Sequence, residues 1–520
     1  MPAIITDQFR ILNAETFAKS LTGIGTTSNY YYTFLAHPNP TNVSIEDYGD
    51  SNWSSEPPEP KDSFEQEDRY HDSMLFLKRV TTNDIARVLP RIDWTSGITY
   101  DMYRNDYDIN NEAPQTSSKT LYESRFYVVN SEFKVYICLN NGANPDNPSG
   151  QKSLIEPNFV DTIPQVAGNG SDGYLWKYLY TIAPADIIKF ATEKYIPVPK
   201  NWGDASTETV KNAAVRGKIE TVIIKNRGSG YSIAGDGSSG VVTNVPILGD
   251  GTGGEVSITT TGGEVTKVEV TTPGINYTRG LVNFSTTSAG SKTVTAGSGA
   301  VFEVITPPKG GHGADIYREL GAYRIMIYSK YDADPDYVVG NTFSRVGLVL
   351  NPTEYGSQTA ILNTSTATNL GALKLTGTDP EQTIYPLNAE IRQTVGAGQT
   401  AVGYVASWNR NTGILRYYQP VGLSTITNND YRQLDFSGGS GANDITCTTI
   451  ENNVLAPDAS FNGSTITIGG KIIDLGQTFT NGKANPDVEK YSGDIIYIDN
   501  RAPITRSSSQ KEEVKIVVEF

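Results

Sequence analysis

The sequence predicts a mainly β protein with a few short helices, and three observations carry that reading. Among 520 residues there are 30 Tyr and 50 Gly. Tyr and Thr suit half-buried strands, whereas Gly and Asn suit the turns between them. Period-two alternation of apolar side chains recurs in many short segments, while helical spacing is confined to a few brief stretches. The length favours about two to four domains.

The first region, 1–205, mixes helices and strands. Thr6 and Asp7 offer N-caps, after which Phe9, Leu12, Phe17 and Leu21 recur at roughly helical spacing. Thr82 and Asp84 lead into Ile85, Val88 and Leu89, a turn of helix that Pro90 should stop. Pro184 suits the first helical position of PADIIKFAT, where its missing N–H costs no bond. RFYVVN and FKVYICL (125–139) flank a short polar turn and predict a hairpin. In Tyr174–Ile182, alternation places Tyr174, Trp176, Tyr178, Tyr180 and Ile182 on one face, against a core.

A second unit, 215–306, contains a tandem repeat. IETVIIKNRGSGYS (219–232) aligns with VTKVEVTTPGINYT (265–278) at a shift of 46, which matches Val222 to Val268, Gly228 to Gly274 and Tyr231 to Tyr277. The same shift carries Gly253, Val256 and Ile258 onto Gly299, Phe302 and Val304. Two copies are too few for a solenoid, so the expectation is a compact β-module with pseudo-twofold symmetry, Gly228 and Gly274 lying in turns. Tyr231 and Tyr277 are candidates for glycan contact, but their identical placement in both copies favours packing inside each repeat.

Residues 307–360 change character: a Gly/Pro loop, a short helix closed by Gly321, a strand through Ile327, and a strand in FSRVGLVLNP (343–352). Region 361–480 is low in charge and rich in Thr, Asn and Gly, with a hairpin in TAVGYVASW…ILRYYQP around the loop 409–413. In 485–520, SGDIIYIDNRAPI and EEVKIVVEF alternate strongly. Val514, Ile516, Val518 and Phe520 share a face expected to point into a core.

The formal net charge is −15, and no Lys/Arg cluster of the kind that displaces nucleic-acid counterions is present. Acid is densest between Glu46 and Asp72, which predicts a solvated loop. Cys138 and Cys447 give neither a disulfide framework nor a zinc spacing, and suit a reducing cytoplasm. The first residues show no secretory pattern, and no apolar run approaches the about 20 residues of a membrane helix.

The sequence offers no catalytic, cofactor-binding or metal-site residue by motif. His37, His71 and His312 lack ligand spacing and are expected to be loop or core residues. GDGTGG (249–254) lacks the Lys-Ser/Thr and helix of a phosphate loop and reads as a turn. Asp332-Ala-Asp-Pro-Asp336 begins like a calcium loop, but Tyr337 and Phe343 stand where Gly and Glu are needed.

Several segments resemble the baseplate wedge protein of T-even-type contractile-tailed phages, the gene product eight family. They are Trp53-Ser54, PPEPKDS (57–63), VLPRIDW (88–94), SDGYLWKYLYTIAP (171–184), TEKYIPVP (192–199), FSRVGLVLNP (343–352) and SGDIIYIDNRAPI…EEVKIVVEF (492–520). The similarity covers about 30–205, 310–352 and 485–520. It implies a layered β-sandwich core with helices in loops: 1–205 as its N-terminal part, 307–360 as the return to it, and 485–520 as its last strands. On that reading 215–306 and 361–480 are inserted β-regions. The resemblance further implies a virion protein of the tail baseplate that forms homodimers and assembles with other wedge proteins. It carries no catalytic residues, cofactor, metal, nucleic-acid or membrane partner. A glycan- or receptor-binding tail protein is the alternative reading.

Overall fold

The computed structural model describes residues 4–21, 29–37, 53, 55–332, 337–376, 385–419, 434–447, 455–507 and 509–520. The fold is mainly β, built from several antiparallel sheets. The chain divides into two compact units: one of Met1–Thr16, Ala86–Met326 and Val517–Phe520, the other of Phe17–Ile85 and Ile327–Ile516.

The first unit is organised around a sheet in which Tyr127–Val129, Lys134–Asn141, Tyr174–Thr181 and Gln165–Val166 lie side by side. The hairpin register pairs Val129 with Val135 and Tyr127 with Ile137. Trp176 is fully buried, with Tyr174 stacked on it at 5.2 Å and Tyr100 edge-on at 5.9 Å. Strict alternation fails in this strand: Tyr178 is only half-buried, whereas Lys177 and Leu179 of the opposite face are buried. The register with Lys134–Asn141 breaks between Val135 and Tyr136, opposite Tyr180 and Tyr178; beyond the break Leu179 joins the buried core, and the Lys177 ammonium donates to the Thr162 carbonyl (2.7 Å). Both faces are shielded, and the alternation that a one-sided sheet requires is relaxed.

Pro184 does open the helix Pro184–Phe190. The expected helical turn at 82–89 is instead a short 3-10 turn, Thr82–Asp84, followed by the strand Ile85–Pro90. Thr81 caps the turn reciprocally with Asp84, and Val88, Leu89 and Pro90 beyond it pair with Pro197, Ile196 and Tyr195.

Residues 219–304 carry their own apolar core, centred on Val256, Ile258, Val245, Tyr231 and Val265. Its two copies exchange strands. Thr221–Ile233 of the first pairs with Val294–Ile305 of the second, and Glu264–Ile275 of the second with Thr252–Thr261 of the first. The registers are equivalent under the repeat shift: Phe302 to Ile224 and Val304 to Val222 in one pair, Val256 to Val270 and Ile258 to Val268 in the other. Tyr231 N–H donates to the Gly263 carbonyl, and Tyr277 N–H to that of Gly217. Gly228 and Gly274 lie within strands, not in turns as expected, yet both have positive φ (64° and 63°). Glycine supplies the left-handed backbone inside an unbroken ladder, Arg227 opposite Ala300 and Ser229 opposite Ser298 in one pair, Pro273 opposite Gly254 and Ile275 opposite Thr252 in the other.

In the second unit the strands run Thr366–Thr368, Met74–Val80, Tyr31–Ala36, Thr342–Leu350 and Asp494–Thr505. Gly347 faces Phe34, whose ring fills the space a side chain would need. A second sheet is built from Glu390–Gly396, Gln399–Asn409, Ile414–Tyr418 and Gly371–Thr376, with shorter strands at its margins. Its core gathers Leu373, Ile391, Val405, Leu415 and Phe436. The hairpin Gly463–Ile468 and Lys471–Phe479 packs Leu475 and Phe479 against Ala372, Ile414 and Ala484.

The helix expected after Thr6 and Asp7 forms, and two other expectations are revised. The helix Asp7–Ser20 buries Ile11 and Ala14 and leaves Phe9 and Leu12 exposed. The acidic stretch is not all loop: Phe64–Ser73 is a helix whose Ser63 cap accepts from the Gln66 N–H, an S-x-x-Q capping pattern present in the sequence. In the last strand, Glu512–Glu519, Ile516 is buried, whereas Val514, Val518 and Phe520 are half-buried. That strand lies at the edge of its sheet, beside Arg324–Tyr331, so fewer neighbours cover it.

Candidate assembly framework and surfaces

The segments that carry the phage resemblance meet in two clusters. In the second unit, Arg345 of FSRVGLVLNP sits over the Trp53 ring at 5.5 Å and the Tyr70 ring at 4.8 Å. Its guanidinium donates to Asn500 Oδ1 (2.7 Å) and to Ser73 Oγ (3.0 Å). Asn500 donates in turn to the Pro58 carbonyl (2.8 Å), and Trp53 Nε1 to the Arg501 carbonyl (3.0 Å). Arg345 is 3 % exposed, so its planar fork organises three distant parts of the chain in a dry setting.

In the first unit VLPRIDW meets TEKYIPVP along the 88–197 pairing. Arg91 N–H donates to the Lys194 carbonyl (2.8 Å), and the Tyr180 hydroxyl to the Pro197 carbonyl (3.2 Å). These contacts tie the aromatic strand 174–181 to both segments.

Among the described residues, several large apolar side chains are exposed, two groups of them close together in sequence. Ile5, Phe9 and Leu12 fall at i, i+4 and i+7, one stripe running from the lead-in residues onto the first helix, with exposures of 72, 52 and 55 %. Near the tip of the hairpin 463–479, Ile472 is 76 % exposed and Ile473 37 %.

The candidate chemical residues are spent on structure. His37 stacks on Tyr418 at 4.7 Å. His312 Nδ1 lies 2.6 Å from Glu319 Oε1, and the other carboxylate oxygen accepts the Gly313 N–H at 2.7 Å. Among the described residues no group of three His, Cys, Asp or Glu is placed to hold a metal ion. Most of the acidic run 332–336 lies outside the described residues; Asp332 itself faces Lys330 and Lys511, each at 3.5 Å. GDGTGG joins two strands, and its Asp250 accepts the N–H groups of Thr278 (3.0 Å) and Arg279 (3.1 Å). Cys138 and Cys447 are buried and not joined in a disulfide, and burial pushes the Cys138 thiol well up. Tyr231 and Tyr277 are inside the module, their hydroxyls donating to the carbonyls of Phe284 (3.1 Å) and Ile247 (2.8 Å). They are thus removed as glycan-contact candidates.

His71 supplies a pH dependence. Burial pushes its imidazole down to about 4 from an ordinary 6.5, against weaker opposing effects of Asp68, the Gly493 backbone and Asp494. Between those values the unfolded chain takes up a proton that the folded chain refuses. Stability is therefore complete above the window and falls as pH drops through it, by roughly 3 kcal/mol at its acid end. Urea midpoints measured from pH 7 to pH 4 should fall less steeply in a His71→Gln variant; an unchanged slope would place the titration elsewhere.

No model of a known protein family matches this sequence, and no curated protein matches it.

Proposed function

We propose that this chain is a structural, non-enzymatic subunit of the baseplate wedge of a contractile-tailed bacteriophage. In this reading it forms a homodimer and assembles with other wedge proteins. The observation that carries it is the convergence on Arg345: the resemblance-bearing segments around Trp53, Pro58, Arg345 and Asn500 meet in one hydrogen-bonded cluster in which Arg345 and Trp53 are buried. This convergence supports the reading, because a scaffold needs its separate segments tied into one framework. The exposed apolar positions of the first helix and of the 463–479 hairpin suit broad protein contacts, which draw on aliphatic and aromatic anchors more than on a deep pocket.

Purified phage tails provide the test. An electron-microscopy map of the baseplate should hold this chain in each wedge, and antibodies against it should label the baseplate. Labelling of fibre tips alone would favour receptor binding. Pure protein should leave glycan, peptidoglycan and peptide substrates intact. Turnover abolished by one carboxylate substitution would overturn the structural reading.

A further inference from the structure

The module 219–304 and the sheet core of the first unit are separate apolar clusters, and Ile223 and Ile305 belong to the latter. Two strands pass between them, paired there as Thr221 with Ile305. Beside this neck lies a cleft of about 190 Å³, lined by Arg104, Tyr107, Asn144, Pro148, Ile223 and Lys225 among others. The neck is thus incompletely packed on that side.

The repeat shift shows what the neck lacks. In the first copy Gly240–Gly249 pairs with Thr252–Thr261, Val242 opposite Ile258 and Pro246 opposite Glu255. The equivalent strand of the second copy would adjoin residues 301–306, yet among the described strands Val294–Ile305 pairs with Thr221–Ile233 alone. Side chains hold this end instead. Arg104 grips both carboxylate oxygens of Glu303 (Nη1 to Oε2, 2.9 Å) and is itself held by Asp106 at 2.9 and 2.8 Å. Asn105 donates to Thr306 Oγ1, Arg227 pairs with Asp146, and Thr221 Oγ1 donates to the Leu139 carbonyl (2.9 Å).

We infer that the neck is a latched hinge: the module is fastened to the sheet core chiefly by the Arg104–Glu303 grip, and it swings as a rigid body when that grip opens. Backbone pairing across a sheet cannot be released without unfolding a strand, whereas an ion pair can be exchanged for contacts with a neighbour. Arg104 is 8 % exposed and the Glu303 side chain 27 %, so the grip is shielded on the guanidinium side and open to exchange on the carboxylate side. A baseplate-sized neighbour that offers a carboxylate to Arg104 would both free and reposition the module.

Hydrogen exchange on the full chain tests this. In Glu303→Gln, the amides of Ile223, Lys225 and Val301 should exchange about tenfold faster, while those of Val256 and Ile258 in the module core keep their protection. Arg104→Gln should give the same pattern, and the double variant should go no further than Glu303→Gln, which removes the grip together with the Lys225 contact to Glu303 at 3.7 Å. Unchanged exchange at the neck would overturn the latch. Acceleration of Val256 and Ile258 together with the neck would overturn the rigid-body hinge, and additive single effects would show that Arg104 and Glu303 act separately.

Discussion

Replacing Arg506 with Met should cost the second unit about 3–5 kcal/mol, the range seen when one partner of a buried ion pair is removed. Arg506 is fully buried. Its Nε donates to Glu512 Oε2 at 2.8 Å, and Nη1 donates to the carbonyls of Tyr337 (2.7 Å) and Val338 (3.0 Å). Nη2 reaches the Asp332 carbonyl at 3.3 Å, and the guanidinium lies 5.5 Å from the Phe76 ring centroid. Met fills similar volume but donates nothing, so the 6 % exposed Glu512 side chain is left as an unpaired buried charge beside orphaned carbonyls. Lys restores charge without the fork and should recover only part of the loss. Adding Glu512→Leu to Arg506→Met should recover more, because the uncompensated carboxylate goes with it. Urea unfolding of the variants measures this directly. An Arg506→Met variant within about 1 kcal/mol of the parent would show that water already reaches the pair.

Alanine at Gly228 or Gly274 should destabilise the repeat module by about 3 kcal/mol or more, with nearly equal effects at the two sites. At Gly228 a Cβ would stand 2.4 Å from Ala300 N and 2.6 Å from Ser298 O; at Gly274 it would stand 2.6 Å from Gly254 N and 2.7 Å from Thr252 O. Those partners are related by the repeat shift, so one steric argument covers both. The obstacles are backbone atoms of the paired strand and cannot rotate away. Left-handed φ adds its own penalty for any residue with a Cβ. Ser229→Ala, at an exposed neighbour, should lie within about 0.5 kcal/mol of the parent. Calorimetry should show a module transition moving to lower temperature in both glycine variants. A large effect at one glycine and none at the other would mean that the two copies do not share their packing.

The sequence by itself determined the β class, the principal hairpins, the helix opened by Pro184 and the presence of two related copies in 215–306. Each of these rests on local chemistry, whether alternation, turn residues, a proline at a helix start or a repeated spacing. The helix Phe64–Ser73 was also legible, through Ser63 and Gln66, but the surrounding acid obscured it. Tertiary structure alone decided which faces are inside. Phe9 and Leu12 have helical spacing yet point to solvent, because burial depends on which element covers a stripe and not on the stripe itself. It alone decided that the two repeats trade strands, since a repeat gives equivalent positions but not the partner each strand chooses. It also decided the fates of Arg104, Arg345 and Arg506. A buried guanidinium is tolerated only where carboxylates and carbonyls from distant segments converge on it, and that convergence leaves no trace in local sequence.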